Sequence, residues 1–196
     1  MRTYLLFFGL LFLVSCKNGD QEAKAPANTA STQTALAQSA NSEAFNQSFG
    51  EVLNGYYALK EQFITEKDSG IVQASRRMLL ATDSLKLDEL KADTNVIATA
   101  RTYSMGISAE LKGLLGESKI ADQRRSFQLV GEQLYDLIRT VHYDGQVIYH
   151  FYCAEAFSDQ GATWLSNSIE VRNPFIPKKM LNCGELKDTI DMRHKR

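Results

Sequence analysis

The sequence predicts a mainly α fold, an antiparallel up-and-down four-helix bundle that is followed by a small C-terminal cap of strand and loop. Apolar residues recur every three or four positions in four segments between residues 42 and 144, which is the period of an amphipathic helix. Only a few residues join neighbouring segments, which favours antiparallel packing of consecutive helices. After Gly145 the helical period stops and β-branched and aromatic residues become frequent, which favours a strand.

Each of the four segments has one apolar stripe that is expected to face the bundle core. Ser42 is a candidate N-cap for the first helix and Thr94 for the third, because both carry a hydroxyl that can accept a backbone N–H. The stripes are Phe45, Phe49, Val52, Leu53, Tyr56, Phe63 and Ile64 in the first segment, Ile71, Met78, Leu79, Thr82 and Leu85 in the second, Val96, Ala100, Tyr103, Ile107, Leu111 and Leu114 in the third, and Phe127, Val130, Leu134, Leu137, Ile138 and Val141 in the fourth.

Residues 145–196 are interpreted as a cap that packs on one end of the bundle, because so short a segment cannot bury a core of its own. Residues 146–153 are predicted to form a short strand, and turn signals follow at 159–161, 173–174 and 176–177. Trp164 and Phe175 are expected to anchor the cap to the bundle, together with the Asn173-Pro174 turn. The alternative for the two aromatic residues is an exposed platform for a carbohydrate or a peptide.

Composition excludes several classes of function. The chain of 196 residues has 22 basic and 23 acidic side chains, and its formal net charge is −1. A nucleic-acid-binding surface would require a clearly positive face, so no nucleic-acid partner is expected. With 44% hydrophobic residues and 10% aromatic residues, the chain is too rich in core-forming residues to be disordered throughout.

The N-terminus is typical of a bacterial lipoprotein. A short basic start precedes an apolar run over residues 4–14, and eleven helical residues reach only about 16 Å, which is too short to span a bilayer. The run ends Leu13-Val14-Ser15-Cys16, so residues 1–15 are predicted to be a signal peptide and Cys16 the lipidated first residue of the mature chain. The alternative is a plain secretory signal with an incidental Cys16. The predicted location is the outer membrane, and the sequence does not decide between its periplasmic face and the cell surface.

Residues 17–41 are predicted to be a flexible tether between the lipid and the folded part. This stretch has one large aliphatic residue, Leu36, and no aromatic residue. It therefore cannot bury enough apolar surface to offset the entropy that ordering would cost. The domain organisation that follows is a signal peptide at 1–15, a lipidated cysteine and tether at 16–41, the bundle at 42–144 and the cap at 145–196.

The last third of the chain contains a series of short motifs. They are Tyr149, Cys153, Gly161-Ala162-Thr163-Trp164-Leu165-Ser166, Val171-Arg172-Asn173-Pro174-Phe175 and Met180-Leu181-Asn182-Cys183-Gly184. With these motifs, the stretch from Tyr149 to Ile190 resembles the C-terminal signature of a bacterial lipoprotein family with a domain of unknown function. That domain also occurs as an extension of heavy-metal efflux adaptor subunits of the copper/silver type. The resemblance extends more loosely to residues 49–60 and 123–127.

The chain departs from that family at one position that matters for metal chemistry. Where the family often has Cys-Pro-Met-Ala, this chain has Cys153-Ala154-Glu155-Ala156. A soft thioether is lost and a hard carboxylate stands near the cysteine instead. Soft sulfur ligands select Cu(I), so the departure weakens the expectation of copper binding.

Three interpretations remain open for the other two cysteines. In an oxidising envelope, Cys153 and Cys183 would form a disulfide, which would stabilise the fold by roughly 3–4 kcal/mol on the chain-entropy model. They could instead bind a soft metal such as Cu(I), with Met180 and His150 as further ligands. Thiol catalysis is the third interpretation, but there is no C-x-x-C motif, and strand alternation places His150 on the opposite face from Cys153.

The predicted function is therefore a binding function without catalysis. The sequence has no H-E-x-x-H zinc motif, no G-x-S-x-G nucleophile motif and no P-loop. The resemblance implies an accessory protein in copper-type metal handling or efflux, with Cu(I) as its ion and with the membrane and a metal efflux adaptor or another envelope protein as partners. The alternative is a structural or protein-interaction module in which Cys153 and Cys183 form only a disulfide staple.

Overall fold

Four long helices form the first part of the structure, a computed structural model that describes residues 41–193. The predictions for the signal peptide, for Cys16 and for most of the tether lie outside the described residues. The helices are α1 (Glu43–Thr65), α2 (Asp68–Asp83), α3 (Thr94–Gly116) and α4 (Ile120–Thr140), and a short 3-10 turn at Leu87–Glu89 lies between α2 and α3. Each helix packs on the next along the chain. The predicted helical bundle is confirmed.

The apolar stripes supply the core of the bundle, as their period predicts. All six stripe residues of the fourth segment are buried, and so are all those of the first segment except Ile64. Tyr56 and Phe63 of α1 contact Phe127 of α4, with ring centroids 4.9 Å apart in both pairs. Aromatic rings this close add attraction beyond the area that they bury. These large rings therefore join the first and last helices of the bundle.

The first predicted cap is confirmed and the second is wrong. The Ser42 hydroxyl accepts the backbone N–H of Phe45 at 3.1 Å and so begins α1. At α3, the carboxylate of Asp93 accepts the N–H groups of Asn95 at 2.8 Å and Val96 at 3.0 Å. Asp93 is therefore the N-cap, since its oxygen reaches two of the unpaired N–H groups of the first turn. Thr94 is the first helical residue.

Three antiparallel strands form the small sheet of the cap. They are β1 (Ile148–Cys153), β2 (Ala162–Ser166) and β3 (Glu185–Ile190), in the order β2-β1-β3. The central strand β1 begins two residues later than predicted. No strand is predicted at residues 185–190, and β3 forms there because β1 offers an open edge. A bulge between His150 and Phe151 shifts the register of that pairing.

The cap is fastened to the bundle by polar contacts as well as by apolar burial. On α1, Tyr56 accepts the backbone N–H of Leu165 at 3.2 Å, and the buried ammonium group of Lys60 donates to the hydroxyl of Ser166 at 3.1 Å. Burial lowers the pKa of Lys60 below its ordinary value, and the nearby Glu61 carboxylate opposes this effect. Both contacts hold β2 against α1.

Arg124 ties three elements together at the same end of the bundle. From its place on α4, its guanidinium donates to the carbonyl oxygens of Pro174 at 2.9 Å and Phe63 at 3.1 Å, and it forms a salt bridge with Glu66 at 3.0 Å. Lys178 also pairs with Glu66. The bond to Lys178, with the bonds to Arg124, lowers the pKa of the Glu66 carboxyl against the effect of its desolvation. The end of α1, α4 and the loop before Phe175 are thus held in one arrangement.

None of the helices within residues 41–193 is long and apolar enough to cross a bilayer.

Candidate functional site

Cys153 and Cys183 lie at disulfide distance, which agrees with the first of the three interpretations that the sequence left open. Cys153 is the last residue of β1, and Cys183 stands two residues before β3. Because β1 pairs with β3 through Tyr152 and Glu185, the sheet brings the two cysteines side by side. Their Sγ atoms are 2.12 Å apart and their Cα atoms 5.7 Å apart, so the pair forms a disulfide across a separation of 30 residues.

The two sulfurs have different surroundings. Cys153 is only 1% exposed and belongs to the apolar core of the cap. Cys183 is half-buried, in the loop that leads into β3. The disulfide therefore has one sulfur in the core and one on the side from which a solute could reach it.

Glu155 is the functional candidate that sequence reasoning did not identify as a site residue. Its Oε2 atom lies 2.8 Å from Sγ of Cys183 and 3.3 Å from Sγ of Cys153. One ligand atom from each of these three residues lies within 4.8 Å of the other two. The sequence signal was the carboxylate two residues after Cys153, but nothing in the sequence shows that it turns back toward Cys183.

A tight reversal of the chain directly follows Glu155. Phe157, Ser158 and Asp159 all have left-handed backbone conformations, with φ angles of 53°, 57° and 65°, and such conformations cost free energy in residues other than glycine. Gly161 follows with φ of 80°, and its N–H donates to the carbonyl oxygen of Ala156 at 3.0 Å. The reversal carries the chain from β1 into β2 and fixes where Glu155 leaves the sheet.

An open cleft of about 760 Å³ lies over the disulfide. Its walls are residues 152–155 and 179–185. Met180, one of the predicted metal ligands, lines this cleft and is 39% exposed. Both cysteines, Glu155 and one thioether therefore border the same space.

The other predicted ligand, His150, is not among the residues that line this cleft. Its ring packs against Tyr135 of α4, with centroids 4.3 Å apart. Burial lowers the pKa of His150 below its ordinary value of 6.5, and the carboxylates of Asp188 and Glu132 partly oppose this effect. Tyr135 in turn donates its hydroxyl to Asp188 at 3.0 Å. The structure thus places His150 between the sheet and α4, away from the two sulfurs.

The four residues predicted as anchors lie in or beside the contact between cap and bundle. Trp164 is buried, stacks on Phe151 at 5.4 Å and contacts Phe175 at 6.2 Å. Phe175 in turn reaches Phe127 of α4 at 6.1 Å, and the carbonyl of Pro174 accepts from Arg124. Both aromatic rings are buried, so neither is available as an exposed binding platform.

Asn173 organises the loop that carries Cys183. It is fully buried, and its Oδ1 atom accepts the N–H groups of Phe175 at 2.7 Å and Ile176 at 3.2 Å. Its side-chain amide donates to the carbonyl oxygen of Cys183 at 2.9 Å. The position of Cys183 is therefore set by hydrogen bonds and by the β1–β3 pairing in addition to the disulfide.

These contacts determine which chemistry the site can support. In the disulfide, neither sulfur is a thiolate, and the thiolate is the form that binds metals. After reduction, the sheet and Asn173 would keep two thiols next to the Glu155 carboxylate. The set of two sulfur atoms and one oxygen atom fits a metal ion with affinity for both, and the thioether of Met180 adds a soft donor in the same cleft.

Comparison with known proteins locates a family domain in the helical part of the chain. Residues 52–145 match the sequence model of a family described as "Protein of unknown function (DUF3347)". The match runs from α1 to the loop that follows α4, and the cap lies beyond it. No curated protein matches the chain, and no solved structure does either.

Proposed function

We propose that the protein is a non-catalytic accessory binding protein of the cell envelope that serves metal handling or efflux. The observation that carries the proposal is the convergence of Cys153, Cys183 and Glu155 within 4.8 Å at an open cleft. Thiolates bind Cu(I) and zinc, and carboxylates bind harder ions. The cleft leaves room for an ion to enter from solvent.

Metal binding at this site requires a reduction step. A dithiol reductant would transfer two electrons and two protons to the disulfide, so that Cys153 and Cys183 become thiols and the reductant becomes a disulfide. An incoming ion would then displace the two thiol protons as the thiolates bind it. The disulfide is in this proposal the resting form, and reduction opens the site.

The envelope location and the partners are further parts of the proposal. The motif at Cys16 supports a lipid anchor in the outer membrane, followed by a tether that would let the domain reach neighbouring proteins. The resemblance to extensions of efflux adaptor subunits supports copper-type transport, a metal efflux adaptor or another envelope protein as partner, and Cu(I) as the ion. The near-neutral charge supports no role with nucleic acid.

The proposal contains no catalytic step. Thiol catalysis depends on an exposed thiolate that approaches its substrate freely. Here Glu155 places a negative charge 2.8 Å from the half-buried sulfur of Cys183. Coulomb repulsion from this carboxylate would disfavour a free thiolate at Cys183 after reduction, and thiol catalysis requires one.

The second candidate function is a structural or protein-interaction module. The observation that favours it is the disulfide itself, which is formed in the structure and closes a loop in a cap with few strands. In that case Cys153 and Cys183 would only staple the cap, and reduction would lower its stability without creating a metal site.

One experiment separates the two functions. We would purify the chain with Cys16→Ser, so that Cys153 and Cys183 are its only cysteines, and count free thiols before and after treatment with a dithiol. After removal of the reductant, Cu(I) and Zn²⁺ would each be titrated into the protein. The metal-handling proposal expects no free thiol before reduction, two after it, and then one bound ion per chain.

The matched control carries Cys153→Ser and Cys183→Ser together, with circular dichroism to verify that its helices form. This variant should bind no ion. Equal uptake by the reduced protein and the control would overturn the metal proposal, and so would no uptake by either. Absence of uptake by both proteins, together with a lower melting temperature of the parent chain after reduction, would favour the function as a structural module with a disulfide staple.

A further inference from the structure

We propose that Glu155 is the third protein ligand of the reduced site, and that the site takes a divalent ion of the zinc class with a fourth position open to the cleft. This inference rests on the proposed metal binding and names its ion and its ligand set. It departs from a Cu(I) site, in which sulfur atoms alone would hold the ion.

The position of the carboxylate is the first argument. Glu155 Oε2 faces both sulfurs, at 2.8 Å and 3.3 Å, so one oxygen stands beside the two atoms that would become thiolates. Among residues 41–193, no lysine, arginine or histidine forms a salt bridge with Glu155. Glu155 is exposed, so a cation from solvent can reach the negative charge beside the sulfurs.

The chemistry of the ligand set is the second argument. Zinc binds thiolate sulfur and carboxylate oxygen together, at about 2.3 Å and about 2.0–2.2 Å, and favours four tetrahedral ligands. Cu(I) is selected by thiolates and thioethers, for which a carboxylate is a poor substitute. Two thiolates and one carboxylate carry three negative charges, and a divalent ion neutralises more of this charge than a monovalent ion does.

The backbone around the site is the third argument. Glu155 lies between the end of β1 and the left-handed reversal at residues 157–159, so its backbone position does not depend on the disulfide. Cys183 is held through its carbonyl by Asn173, and its N–H donates to the carbonyl of Met180 at 3.1 Å. Breaking the S–S bond therefore frees the two sulfurs and leaves the three ligands close together.

The fourth position would face the cleft. Three protein ligands and one exchangeable water molecule are a known arrangement for zinc, whereas structural zinc sites have four protein ligands. Residues 179–185 form the opposite wall and leave that side open to solvent. A site of this form would release its ion more readily than a closed one, as an accessory protein in metal handling requires.

The test compares two glutamates of the same cleft. Glu155→Gln removes the charge and keeps the shape, and Glu185→Gln makes the same change at a cleft residue that instead pairs with Lys187 at 2.6 Å. Each variant would be made in the Cys16→Ser chain, reduced, and titrated with Zn²⁺ against a colorimetric zinc chelator. Loss of an outer-shell partner already weakens metal binding about 10- to 100-fold, so Glu155→Gln should weaken zinc binding at least about tenfold. Glu185→Gln should leave it unchanged.

Two more measurements identify the ligands. X-ray absorption of the zinc-loaded protein should show two sulfur ligands together with oxygen, and Glu155→Gln should alter the oxygen shell. Cu(I) titration should give the same affinity with and without Glu155→Gln, because sulfur alone would hold that ion.

The outcomes distinguish this inference from the function on which it rests. Equal zinc affinity of the parent chain and Glu155→Gln would overturn the inference. The proposed metal function would survive that result if the reduced parent chain bound zinc or Cu(I) and the double serine variant bound neither ion. If the reduced parent chain bound neither ion, both proposals would fall.

Discussion

The bundle and the cap are stabilised in different ways, although they lie side by side in one compact unit. In the bundle, apolar side chains lie on four repeated stripes, and burial is spread over all of them. In the cap and at its border with the bundle, individual polar and covalent contacts have separate roles: Asn173 fixes a loop, Arg124 of α4 joins three elements, and one disulfide closes the sheet. The bundle therefore depends on the burial of large apolar side chains, whereas the cap depends on single polar and covalent contacts.

The largest expected effect is in the bundle, at the ring that both regions share. Phe127 contacts Tyr56 and Phe63 of α1 and Phe175 of the cap. Phe127→Ala should lower the free energy of unfolding by about 3–5 kcal/mol, because it removes a large buried ring and leaves a cavity. Urea unfolding followed by circular dichroism measures the change. Leu129→Ala, on the same helix but 43% exposed, should cost less than about 1 kcal/mol, and equal losses would contradict the assignment of the core.

The next effect tests whether the cap can open by itself. Replacing Cys153 and Cys183 by alanine should favour opening of the cap by roughly 3–4 kcal/mol, the chain-entropy value for a loop of this length. Amide hydrogen exchange should then accelerate in β3, while the amides of α1 to α4 change less. Equal acceleration in the helices would mean that the cap and the bundle unfold as one cooperative unit, and the contrast between them would be lost.

A smaller loss is expected from the buried amide of the cap. Asn173→Ala leaves the N–H groups of Phe175 and Ile176 without their acceptor, and buried groups of this kind cost about 1–3 kcal/mol each when unpaired. We expect a loss of about 2–3 kcal/mol in thermal or urea unfolding. Asn182→Ala, at an exposed position nearby, is the control and should change little. A comparable loss in both variants would argue against the role of Asn173 in the loop.

The smallest effect is a pH dependence at the border between the two regions. Burial lowers the pKa of His150 in the folded protein below its ordinary value of 6.5, so the unfolded chain binds a proton there more readily than the folded chain. Its contribution to stability is present above pH 6.5 and is lost as the pH falls below that value. His150→Phe keeps a ring against Tyr135 and removes the titration. Urea midpoints from pH 8 to pH 5 should fall more steeply for the parent chain than for the variant. Parallel curves would refute the conclusion that burial lowers the pKa of His150 in the folded protein.

Periodicity predicted the bundle well because it reports directly on which side chains are buried. The stripes of α1 and α4 are almost wholly buried, and the N-cap at Ser42 forms as expected. The N-cap of α3 was placed one residue too late, since Asp93 and Thr94 are both good capping residues and the sequence does not rank them. The geometry of the carboxylate decides for Asp93.

The cap was harder to predict because its contacts join residues that are far apart in the chain. The strand β3 is mostly exposed and rich in charged residues, so its sequence has no clear strand pattern. It becomes a strand only because β1 has a free edge for it. Glu155 was visible only as a departure from the pattern that the tail resembles. Its approach to Cys183 spans 28 residues and follows from the reversal at 157–159.

The amino-acid sequence by itself determined the helical bundle, since an apolar period dictates burial. It left a disulfide between Cys153 and Cys183 as one of three interpretations, and the folded cap decided for it by placing the two sulfur atoms 2.12 Å apart. The tertiary structure alone decided which side chains surround that disulfide. It placed Glu155 and Met180 at the cleft and placed His150 against Tyr135 instead. The reason is physical: periodicity reports burial along one element, whereas a site depends on distances between elements that only the folded chain fixes.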